Sequence, residues 1–142
     1  MALWQVEFYA IDKKRTLESD FDDILLWEKN LSPILAENVL FLPKENSWDN
    51  TIVQFGRNDE TCIEIIKDSN NMIQEISIRL DLRTISLELI EHIVNYLNKL
   101  DCNIYYDGRI YIVSKKTLKS IIVASDAYRF CKNPIKYFED QL

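Results

Sequence analysis

Glycine is nearly absent from this chain. Gly56 and Gly108 are the only two in 142 residues, and each stands alone. Phosphate-cradling loops need several glycines so that backbone N–H groups can close on the ligand, so the usual nucleotide loops are excluded. Three prolines and no Gly/Ser tract leave no flexible linker or low-complexity segment, and no internal repeat is visible. The three cysteines, Cys62, Cys102 and Cys131, are odd in number and far apart, with no CxxC spacing. They read as free thiols of a reducing cytosol, Cys62 and Cys131 among apolar neighbours.

Histidine is scarcer still. His92 is the single one, and neither a Ser elbow nor a catalytic Cys context accompanies it, so nucleophilic catalysis has no visible machinery. It reads as a helix-surface or boundary residue. The acidic run Glu18, Asp20, Asp22, Asp23 lacks the glycine and terminal glutamate of a calcium loop and reads as helix-start electrostatics. No metal, no cofactor and no enzymatic activity are expected. There is no 18-residue apolar run, hence no membrane span. MALWQVEFYAIDKK alternates and carries Glu7, unlike a signal peptide, so a cytoplasmic location is expected.

A basic excess is lacking as well. Seventeen Lys and Arg face 23 Asp and Glu, a net charge of −6. The only basic cluster read along the chain, Lys13-Lys14-Arg15, is followed at once by Glu18, Asp20, Asp22 and Asp23. A nucleic-acid partner is therefore not expected, and an acidic surface suits a basic protein or plain solubility.

What the chain does contain is alternation. Met72 to Arg83 puts Ile76, Ile78, Leu80 and Leu82 on one face of a strand, with Ile73, Glu75, Ser77, Arg79, Asp81 and Arg83 on the other. A strand apolar on one side and charged on the other fits an antiparallel sheet with one wet face. Further strands are read at about 3–11, 51–55 and 61–67, and a short hairpin at 103–113 around Asp107-Gly108. Lys44 to Asn50 reads as a polar loop, and 36–43 stays open between strand and loop. Helices are read at about 20–29, 86–100, 115–125 and 134–141, the last with Ile135 and Phe138 inward, and Ser32-Pro33 opens a further short turn. The expected fold is one α+β domain, 1–142: a mainly antiparallel sheet covered on one face by helices.

Two features stand out as candidate interaction sites. Arg79, Asp81 and Arg83 form a charged ladder, read either as pairing on a solvated face or as a recognition face. Tyr105 and Tyr106 flank the hairpin on opposite faces, and Trp48 sits in the polar loop, so these aromatics are candidate contact residues.

The segments SWDNTIVQFG, ISIRLDLR and DAYRFCKNPIKYF, with a helix between the last two, resemble small uncharacterised bacterial cytosolic proteins. Some of these are immunity-type proteins of toxin systems. The resemblance covers residues 1–10 and 47–138, leaves 17–46 outside, and rests on structural rather than catalytic motifs. It implies a non-enzymatic protein-binding module, an immunity protein that neutralises a toxin-like partner by direct binding. A self-associating accessory domain, and an enzyme or small-ligand binder using a pocket between sheet and helices, are the alternatives.

Overall fold

In the computed structural model, which describes residues 1–20, 23–28, 30–47 and 49–141, the expected organising strand is β5, Ile73–Asp81. The strands preceding it are β1 (Gln5–Asp12), β2 (Lys44–Glu45), β3 (Ile52–Phe55) and β4 (Cys62–Lys67). Following it are β6 (Cys102–Tyr106) and β7 (Arg109–Ile112). The described residues form one antiparallel seven-stranded sheet, ordered β2-β3-β4-β5-β1-β6-β7. Strand β5 pairs with β4 on one side and with β1 on the other. The chain is an α+β protein, as its patterning indicates.

Helices α1 (Pro33–Ala36), α2 (Leu87–Leu100), α3 (Lys115–Ala124), α4 (Asp126–Lys132) and α5 (Pro134–Gln141) complete the described chain. The core lies between the sheet and the first four of them. Val6, Phe8, Ile63, Ile65, Ile76, Ile78, Leu80 and Ile104 alternate onto one sheet face and meet Ile90, Ile93, Leu97 and Leu100 of α2, Leu118 and Ile121 of α3, and Ala127 of α4. Ile73, which alternation sets with Glu75 and Ser77, joins this core instead, at the register shift where β4 and β5 pair around Ile66 and Lys67. Period two along the strands and period 3.6 along α2 thus select the same interior.

Serine hydroxyls start three of the helices. Ser86, Ser114 and Ser125 accept from the N–H groups of Leu89, Thr117 and Tyr128 at 3.1, 3.0 and 3.1 Å. At Ser125 the hydroxyl also donates to the Ile122 carbonyl at 2.7 Å, closing α3 while opening α4. Helix α4 is a turn of structure that the sequence pattern did not disclose. Asp101 ends α2 in the left-handed region, φ 53°.

Three expectations are corrected. The helix expected over 20–29 is absent from the described residues of that stretch, where 23–26 make only turns. Tertiary bonds claim its backbone: Trp27 donates through N–H to the Gln74 carbonyl (3.0 Å) and through its indole to the Ala10 carbonyl (3.1 Å). Glu28 N–H donates to the buried carboxylate of Asp12 at 3.0 Å. Phe21, Asp22 and Lys29 of that stretch lie outside the described residues. The loop expected over 44–50 begins with the two-residue strand β2. Finally, Ile135 and Phe138 are 73% and 50% exposed rather than inward. Helix α5 packs on α4 through edge-to-face rings of Phe130, Tyr137 and Phe138, 5.7 to 5.8 Å apart.

Candidate functional site: the uncovered sheet face

The side of the sheet away from the helices carries a different set of residues, buried at Gln5, Ile11, Cys62 and Asp81 and partly exposed along most of the row between them. Cross-strand partners Glu45, Gln54, Glu64, Ser77, Tyr9, Tyr105 and Ile110 form one row through all seven strands. One level along, Arg79 lies between Cys62 and Glu7. The described strand residues of this face carry four carboxylates, Glu7, Glu45, Glu64 and Glu75, against the one guanidinium of Arg79, without counting Asp81, which pairs elsewhere.

The charges are ordered by short bonds. Arg79 Nε donates to Glu7 Oε2 at 2.7 Å, and Tyr9 Oη donates to Glu7 Oε1 at 3.0 Å. Burial, reinforced by that hydrogen bond, pushes the Tyr9 phenol up to about 12, so it stays a neutral donor. Burial and then the negative charges of Glu64 and Glu7 hold the Glu75 carboxyl above the usual carboxylate range. The Glu7 hydrogen bond raises Arg79, against the opposing effect of burial, so the guanidinium stays charged. Cys62, beside Arg79, is pushed up to about 11, burial outweighing the nearby cation. It is therefore a protonated thiol rather than a nucleophile.

At the β2 end of the row the face opens into a hollow of about 540 Å³, lined by Glu45, Gln54, Glu64, Ile52, Arg57 and Asp59, among others. Three of its residues carry negative charge. Arg57 is drawn toward Asp59 and Glu60 at 3.8 and 3.9 Å. Such an arrangement presents carboxylate and amide acceptors to an incoming cation.

The residues singled out from the sequence divide. Arg79 and Tyr105 stand on the uncovered face. Asp81 is on that side of β5 but 1% exposed, so it is not part of a solvated ladder. It accepts from Arg83 backbone N–H at 2.9 Å and from Arg83 Nε and Nη2 at 3.0 and 2.9 Å. Arg83 lies beyond the strand, its guanidinium 3.9 Å over the Trp4 ring. The pair is a structural clamp. Tyr106 faces the other way and packs against the core, with burial raising its phenol. Trp48 lies outside the described residues.

His92 is on α2, on the helical side of the sheet. Its ring stacks on Phe41 (centroids 5.3 Å apart, planes 8° apart), with Glu88 3.6 Å away. No group of three metal-ligating side chains gathers among the described residues.

Sequence reasoning missed Glu7, Tyr9, Glu45 and Glu64 as members of one surface. Alternation placed Glu7 with Tyr9, and Glu64 with Cys62, on a shared side of their own strands. Only the pairing of β1 and β4 with β5 brings those sides together. No protein-family model, curated protein or solved structure matches this chain.

Proposed function

We propose that the chain is a non-enzymatic protein-binding module whose uncovered sheet face receives the basic surface of another protein. The observation that carries this reading is the Glu45–Glu64 hollow at the β2 end of the row, where three negative side chains against one Arg57 line a concavity that no helix packs on. Charge complementarity of this kind speeds encounter and selects partners by sign. Tyr9 and Tyr105 supply amphipathic contact surface beside the charges. The resemblance of its motifs to immunity-type proteins makes a bacterial toxin the partner class to test, bound directly and in the cytoplasm.

The test is co-expression with the product of the toxin-like gene beside the chain's own. A stoichiometric complex that survives purification and weakens with salt is the expected result. No such neighbour, or a neighbour that does not co-purify, overturns the toxin reading.

A further inference from the structure

The two edges of the sheet are built differently. Edge strand β2 is two residues long, follows Pro43 and begins with exposed Lys44, all features that discourage strand addition. Edge strand β7 shares only the exposed basic residue at its start. It is four residues long, carries one charge, Arg109, at its turn end, and places Ile112 79% exposed.

Its free groups can be located. Asp107 and Gly108 have φ of 48° and 76°, the signs of a two-residue type I′ turn, which makes Tyr106 and Arg109 the first hydrogen-bonded pair. Two residues on, Ile104 and Tyr111 are the next such pair. Ile110 and Ile112 therefore turn their N–H and C=O groups outward, and neither makes a backbone or side-chain hydrogen bond from that edge to any described residue. Tyr111, half-buried, packs against the core and ties the strand down between them.

We infer that β7 pairs antiparallel with β7 of a second copy of this chain. A twofold axis at Tyr111 sets Ile110 opposite Ile112 of the partner copy, and Ile112 opposite its Ile110. The outward amides and carbonyls then bond in two narrow pairs, and isoleucine meets isoleucine on the uncovered face. Self-pairing is favoured over a foreign strand because these two positions are complementary to themselves in that register, in residue type and in bonding pattern. A four-residue contact lies below the roughly 1,200 Å² of a stable interface, so the dimer is a weak one. It uses the edge and not the acidic hollow, so its failure leaves the reading of a basic partner standing.

Sedimentation velocity up to about 1 mM, the range in which small interfaces associate, tests this alongside hydrogen exchange of the backbone amides. The wild type is expected to rise toward twice the monomer mass, with the Ile110 and Ile112 amides slowing as concentration increases. Ile112→Lys, at an exposed position that leaves the fold intact, is expected to stay monomeric. A wild type that remains monomeric at that concentration, or an Ile112→Lys variant that associates equally, overturns the inference.

Discussion

Individual residues carry three separable tests. Gly56 and Gly108 both have positive φ, 79° and 76°, but a Cβ at Gly56 would meet the Thr61 carbonyl oxygen at 2.1 Å while one at Gly108 meets nothing within 4 Å. Gly108→Ala should therefore cost the left-handed backbone term alone, about 1 kcal/mol, and Gly56→Ala that plus backbone displacement, about 3 kcal/mol in urea unfolding. Asp81→Ala removes a buried acceptor of three hydrogen bonds and should cost about 2–3 kcal/mol by the same measurement. Glu75 works in the opposite sense. Its carboxyl holds a proton to higher pH in the folded chain than the ordinary 4.5, so as pH rises the unfolded chain ionises first. Folding stability falls from that ordinary range up to the raised folded value and stays lower above it. Glu75→Gln removes the penalty: its urea midpoint should exceed the wild type's at about pH 7 and match it near about pH 3. A wild-type advantage at neutral pH would contradict the assignment.

At the scale of elements, what was legible follows from locality. The faces of β1, β4 and β5 were readable because alternation is a property of each strand alone, and α2 and α3 announced themselves by serine caps before periodic apolar stretches. What was not legible depended on distant residues. The 20–29 stretch has the cap and dipole signals of a helix, but Asp12 and Gln74 bond its backbone in another conformation. Glu7 and Arg79 are 72 positions apart, so the composition of the uncovered face waited on strand order. Asp81 read as solvated because alternation cannot show that Arg83, two residues on, folds back over it. Helix α4 was hidden because Ser125 serves as terminus and cap at once. Ser125→Ala, at a hydroxyl 3% exposed that satisfies both helix ends, should cost about 1–2 kcal/mol. A loss well below that range by thermal or urea unfolding would contradict the double role.

Across the whole molecule the charges are unevenly distributed. Lys115, Lys116, Lys119, Arg129, Lys132 and Lys136 fall within 22 consecutive residues that hold one acidic residue, Asp126. All six are exposed on α3 to α5, on or beyond the helical layer, while Glu7, Glu45, Glu64 and Glu75 occupy the uncovered sheet face. The triplet at Lys13 is thus not the chief basic concentration of this chain. The net charge of −6 is unevenly spread: Glu88, Glu91, Asp126, Glu139 and Asp140 offset most of the cations on the helical layer, while the sheet face keeps an acidic excess, which would turn a basic partner toward the sheet as it approaches. Net charge alone would attract without orienting. The measurement that separates these is the affinity for a co-purifying basic partner, by calorimetry, of the wild type, of Glu45→Lys/Glu64→Lys, and of Glu88→Lys/Glu91→Lys on the solvent side of α2. The two variants change net charge equally. The account predicts at least a tenfold loss, about 1.4 kcal/mol or more, for the sheet-face pair and little change for the helix pair. Equal losses in both, or none in the sheet-face pair, would contradict it.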